Sequence, residues 1–111
     1  MNELIMYIIV NEDLEMGRGK ASAQVAHACT CYLLQSKEDT KINEWFNQCQ
    51  KKIILRAHQK QMEKLEGQYP KYAVRDLGLT EIPENSLTAV CVGIGTKEEM
   101  LPIVKRFQIY K

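Results

Sequence analysis

Glycines and cations alternate in Met16-Gly17-Arg18-Gly19-Lys20, a segment lying between an apolar run and a long helical pattern. Unpaired backbone N–H groups point outward at a helix N-terminus, so Gly17, Arg18, Gly19 and Lys20 form a candidate anion site. The spacing is not a Walker loop, which would need Gly and Ser or Thr where the chain has Leu14 and Ala21. Nor is it a dinucleotide fingerprint, because Ser22 occupies the third glycine position. Taken alone, the loop also reads as a tight strand-to-helix turn with solvated cations. The helix narrows the choice. At about 100° per residue, Lys20, Gln24, His27 and Cys31 share one arc beside the apolar stripe. A histidine so placed is more often a structural residue, but Lys20 in the first turn opposes the positive end of the helix dipole and calls for an anionic partner.

A second candidate is Asp76-Leu77-Gly78-Leu79-Thr80, just beyond a short strand. By itself Asp76 reads equally well as the start of an Asx turn. Sites in open α/β sheets gather beyond the carboxyl ends of strands. If the first and third strands are parallel, Lys20 and Asp76 emerge at one edge, and an amine, a carboxylate and a hydroxyl converge on one water. That is a hydrolytic set without a Ser-His-Asp triad. A third feature is basic: Lys51, Lys52 and Arg56 bracket the second strand, and Lys60 and Lys64 stand at i, i+4. These residues read as solvated surface or as a rim that contacts phosphates.

The elements that must hold these groups follow from periodicity. Leu4 to Val10 reads as a strand buried on both faces. A helix is predicted from about Gly19 to Ser36 on Ala21, Val25, Ala28, Cys29, Tyr32 and Leu33, and a shorter one from Asp39 to Cys49 on Ile42, Trp45 and Phe46. A strand at 52–57, a helix at 59–66 ended by Gly67, a strand at 71–75, a turn-rich connection at 76–86 and a strand at 87–94 come next. Thr96 and Glu99 form a capping box for a last helix that Pro102 should kink or shorten. With no helix between them, the third and fourth strands can run antiparallel. The expected class is α/β, a three-layer α/β/α sandwich around a four-stranded mixed sheet, in a single domain spanning 1–111.

Composition limits the partners. The 111 residues carry 15 Lys plus Arg against 14 Asp plus Glu, a formal charge of +1. A polybasic binder is excluded, although a local basic patch is not. The first apolar run is too short to span a bilayer and lacks the features of a signal peptide, so no membrane contact and a cytoplasmic location are expected. The four cysteines, Cys29, Cys31, Cys49 and Cys91, have no C-x-x-C spacing and read as buried thiols. A thiol or metal role would require three Cys or His side chains to meet, so neither metal nor cofactor is expected.

In combination these residues resemble the type II peptidyl-tRNA hydrolase family. Its D-L-x-M-x-x-G-K loop stands here as Asp13-Leu14-Glu15-Met16-Gly17-Arg18-Gly19-Lys20, and the following Q-x-x-H-A as Gln24-Val25-Ala26-His27-Ala28. W-x-x-x-G-Q-x-K is echoed from Trp45, with Cys49 for the glycine. D-A-G-R-T-Q-I-x-P-G-S-x-T appears as Asp76 to Thr88, and the C-terminal strand, helix and tail are mirrored through Gln108 to Tyr110. The resemblance spans nearly the whole chain. It implies hydrolysis of the ester joining a peptide to the 3′ ribose of tRNA, with Lys20, Asp76 and Thr80 as the catalytic set. Gly17, Arg18, Gly19, Gln24, His27 and Thr88 would line the site, peptidyl-tRNA would be the substrate, and a homodimer would be the form common among relatives. The alternative is a non-catalytic module that keeps the fold and binds tRNA or protein. Asn11 stands where the family usually has a basic residue; Leu79, Glu81 and the Pro83-Glu84-Asn85 turn also depart from the pattern. With cations lost and carboxylates gained, tRNA attraction must rest on a few placed cations, beginning with Arg18 and Lys20.

Overall fold

The computed structural model describes residues 2–77 and 82–111. Strand β1 (Ile5–Asn11) is buried at every one of its seven positions. Side chains alternate across a strand, so an unbroken apolar run needs cover on both faces. Ile5, Tyr7 and Ile9 pack with Leu55, Met62 and Val104. Leu4, Met6 and Ile8 pack instead with Ala28, Tyr32 and Trp45. The other elements are α1 (Arg18–Gln35), α2 (Asp39–Asn47), β2 (Lys52–Ala57), α3 (Gln59–Gln68), β3 (Ala73–Arg75), β4 (Leu87–Gly95), α4 (Lys97–Val104) and β5 (Gln108–Ile109). The two clusters thus set α3 and α4 against one set of strand residues and α1 and α2 against the alternate set.

The sheet is mixed, in the order β3-β4-β1-β2-β5. β1 and β2 are parallel, joined through α1 and α2. β4 is antiparallel to both β1 and β3, so β1 and β3 run the same way and end at the same edge. This topology meets the condition for Lys20 and Asp76 to approach each other. In the β1–β4 ladder the register slips between Tyr7 and Ile8. Gly93 takes φ +104° there, and its bare Cα faces the Tyr32 ring. The Tyr32 ring in turn meets Tyr72 edge-on at 5.1 Å between centroids.

Several expectations need correction. The sheet has five strands rather than four, because the exposed residues Gln108–Ile109 pair antiparallel with β2 at Leu55 and Arg56. A two-residue edge strand has too little alternation to register as a pattern. Gly67 does not end its helix. α3 continues to Gln68 and stops before Pro70, which disfavours helical geometry in the preceding Tyr69. A 3-10 turn at Pro70–Tyr72 then shortens β3 to three residues. Helix α2 ends at Asn47, with Trp45 buried but Phe46 59% exposed, so Phe46 is not part of the stripe. The capping box forms as expected: Thr96 Oγ1 accepts from Glu99 N at 3.1 Å and Glu99 Oε1 accepts from Thr96 N at 2.8 Å. Pro102 lies inside the eight-residue α4, which ends two residues later. Among the described residues no helix is long and apolar enough to cross a membrane.

Candidate active site at the sheet edge

Beyond β1 the chain makes a 3-10 turn at Glu12–Leu14, and Glu15 closes it in the left-handed region at φ 48°. Met16 is buried against Val10, Ala21 and Ile82, and this fixes where α1 begins. Gly17 is the N-cap and offers no side-chain cap, so Arg18, Gly19 and Lys20 supply the first three helical residues, without an acidic residue among them. The cation at the third position therefore works against the helix dipole.

The partner that offsets it comes from 56 positions away. Lys20 Nζ stands 2.5 Å from Asp76 Oδ1, and the two side chains are only 13% and 8% exposed. Asp76 follows β3 directly. Its N–H donates to Ser86 O at 2.9 Å and its carbonyl accepts from Asn85 N at 2.6 Å. These two bonds close the base of the 76–86 segment, and Asn85 turns at φ 65° to make the return. One turn beyond Lys20, Gln24 is also buried. Thr88, fully buried on β4, donates from Oγ1 to Gln24 Oε1 at 2.6 Å, with Val74 O at 3.2 Å. Lys20 and Gln24 thus face β3 and β4, as their shared arc predicts.

The remaining candidates separate. Arg18 lies on the other flank of α1, beside a hollow of about 720 Å³ lined by Val25, Cys29, Lys52, Ile54 and Tyr110. Gly19 is exposed, with open space where a Cβ would stand. His27 is exposed two turns from Lys20, about 10 Å along the axis, and has no hydrogen bond among the described residues. Thr80, together with Gly78, Leu79 and Glu81, lies outside the described residues.

Asn11 has a different role from the one its departure from the family pattern predicts. It is fully buried, donating from Nδ2 to Leu87 O at 2.9 Å and Gln59 Oε1 at 2.6 Å and accepting from Asp13 N at 3.1 Å. It ties β1 to β4 and α3, and it faces the interior rather than a cleft. The only sequence signal was an amide ending an apolar run. Asp13 is a second residue missed. Its carboxylate accepts from Gln59 N and pairs with His58 Nδ1, each at 2.8 Å, and so caps α3. The His58 contact lowers the Asp13 pKa, and the same hydrogen bond raises that of His58.

The cysteines are all free, and only Cys91 is fully buried; burial pushes its thiol up to about 12. Cys29 and Cys31 are partly buried and Cys49 is exposed, so the reading as buried thiols holds fully for one. Among the described residues no group of three or more His, Cys, Asp or Glu is placed to hold a metal. What the edge does present is an ammonium and a carboxylate in contact at a helix N-terminus, with a buried amide–hydroxyl pair beneath. A carboxylate can orient and deprotonate a water, and a nearby ammonium can stabilise the oxyanion that results.

This α/β frame, with its Lys–carboxylate pair at the carboxyl edge of the sheet, has relatives of known kind. Residues 4–110 match the family described as Peptidyl-tRNA hydrolase PTH2, and the chain belongs to that family. A peptidyl-tRNA hydrolase of Methanopyrus kandleri is 39% identical over 100 residues, covering 83% of this chain and 84% of the relative. One from Pyrobaculum aerophilum is 34% identical over 116 residues, covering 96% and 97%. One from Sulfolobus acidocaldarius is 36% identical over 110 residues, covering 86% and 90%.

Proposed function

We propose that this chain is a hydrolase of peptidyl-tRNA and that Lys20, Asp76 and Thr80 are its working groups. The observation that carries this is the 2.5 Å contact between Lys20 and Asp76, buried at the edge where β1 and β3 both end, in a chain of this family. Asp76, with Thr80, orients a water and takes its proton. The water oxygen attacks the carbonyl carbon of the ester, and Lys20 and the N-terminal amides of α1 stabilise the oxyanion. Collapse breaks the bond to the ribose 3′ oxygen, which leaves with the proton from Asp76, and the peptide departs as a carboxylic acid that gives its remaining proton to solvent. Gln24 and Thr88 hold the helix and β4 in register beneath the pair, while Gly17, Arg18, Gly19 and His27 contact the substrate. The scheme uses no metal or cofactor. The chain acts as one domain in three layers, α1 and α2 against one face of the sheet and α3 and α4 against the other. The cytoplasm, where translation runs, is its place of action, and a homodimer its form.

The test is release of peptide from purified peptidyl-tRNA by wild type, Asp76→Asn and Lys20→Ala. Hydrolysis by wild type and its loss in both variants supports the reading. A folded but inactive wild type would favour the binding-module alternative, and undiminished variants would refute the residue roles.

A further inference from the structure

The basic residues that flank β2 in sequence part company in the fold. Lys51 pairs with Glu3 at 3.3 Å, and Lys52 sits 5.0 Å over the Trp45 ring. Arg56 lies four residues further along β2, about 13 Å away at the opposite end of the strand. There it joins cations from α3 and from the end of α4. Two adjoining hollows, of about 470 and 310 Å³, share Gln61 and Arg106. The first is lined by Lys60, Lys64 and Arg106 and by no carboxylate. Arg56 and His58 line the second, where Glu12 is the one carboxylate.

The geometry points to this groove as a track for the phosphate backbone of the tRNA, reaching from the carboxyl edge of the sheet along α3 and the end of α4. The inference rests on the reading of the chain as a peptidyl-tRNA hydrolase. Three observations favour a polyanion here. First, Lys60, Lys64 and Arg106 have no ion pair among the described residues. The carboxylates of α3 are engaged elsewhere, Glu63 with Gln59 and Glu66 with Arg75. Secondly, Lys60 and Lys64 form a like-charge i, i+4 pair, and Lys60 lies in the first turn, so their own helix disfavours both. Thirdly, Glu12 holds Arg56 only loosely, at 3.7 Å, so a phosphate can take its place there, while His58 stays paired with Asp13 at 2.8 Å. The groove also begins in reach of the reaction. From the end of β3, where Asp76 lies, to the end of β2 is three strand spacings, about 14 Å. A chain whose 3′ end lies over Lys20 and Asp76 enters the groove within a few nucleotides. Tyr69 and Phe107 on its floor give riboses or bases an apolar surface. The chain has only one net positive charge, so concentrating its cations here supplies the local field that bulk charge cannot.

The experiment measures binding of deacylated tRNA by fluorescence anisotropy across a salt series. It compares wild type, Lys60→Gln/Arg106→Gln, and a control pair, Lys37→Gln/Lys97→Gln, that removes equal charge elsewhere. All four side chains are on exposed residues, so folding is preserved in both variants. The groove variant should bind roughly tenfold more weakly at moderate salt, and its log K against log salt slope should be shallower by about 1.5, the loss of two phosphate contacts. On peptidyl-tRNA the loss should appear in KM rather than kcat. Wild-type affinity and slope in the groove variant, or an equal loss in the control, would overturn the inference. So would polyglutamate binding as tight as tRNA, which would assign the groove to an acidic protein. If wild type binds tRNA through the groove but releases no peptide, the groove stands and the hydrolase reading alone fails.

Discussion

Replacing Lys20 by Met removes the ammonium and keeps an apolar stem of similar length, so it isolates the electrostatic part of the Lys20–Asp76 contact. Two unit charges 2.5 Å apart attract by about 7 kcal/mol at an effective dielectric of about 20. Most of that is offset by the cost of removing both groups from water, since they are 13% and 8% exposed. The variant loses the attraction but leaves the carboxylate desolvated and without its ammonium. At a sheet edge that water can still reach, the expected loss is about 2 kcal/mol, below the range for deeply buried pairs. For a chain of 111 residues that lowers Tm by about 9 °C. Asp76→Asn keeps the hydrogen-bonding shape and removes the charge, so it should cost less stability but reduce kcat by about 10²–10⁴ if the carboxylate is the base. The double variant completes a cycle. Its stability loss should fall short of the sum of the single losses by about 1–2 kcal/mol, because neither charge is left without the other. Chemical denaturation and single-turnover peptide release on all four proteins measure both quantities. Strict additivity in stability, with wild-type turnover in Asp76→Asn, would refute the reasoning.

Other perturbations probe the supports. Thr88→Val strips the buried hydroxyl from Gln24 and should cost about 1–3 kcal/mol, whereas Thr88→Val/Gln24→Leu should recover part of it; urea midpoints compare them. Asn11→Ala leaves Leu87 O without its amide donor and opens a void, for a loss of about 2–4 kcal/mol by the same assay. Asn11→Lys should destabilise at least as much because the position is fully buried. The raised His58 pKa means its contribution is complete below the unfolded value of about 6.5 and disappears as pH rises through the folded one. The lowered Asp13 pKa gives a contribution present above about 3.9 and lost as pH falls through its folded value. Both therefore operate from about pH 4 to 6.5, and His58→Gln should flatten the decline in unfolding midpoint above that window.

Local backbone geometry made much of this chain readable. Seven successive apolar residues from Leu4 to Val10 mark a strand covered on both sides, and the i, i+4 placement of Lys20 and Gln24 is a property of any α-helix. The Thr96–Glu99 box announces α4 because its two hydrogen bonds form within four residues. A cation in the first turn of α1 even signalled that an anion was needed. What supplied it depended on strand order: β4 inserts between β1 and β3, turns both carboxyl ends to one edge, and brings Asp76 to Lys20. Hydropathy does not encode that order, and partners 56 residues apart leave no periodic trace. The same limit applies to Asn11, polar in sequence but buried by β4 and α3, and to Arg18, which shares a loop with Lys20 yet faces the opposite flank. It applies as well to Arg56, Lys60, Lys64 and Arg106, scattered along the chain and collected on one face only when α3 and the end of α4 pack beside β2.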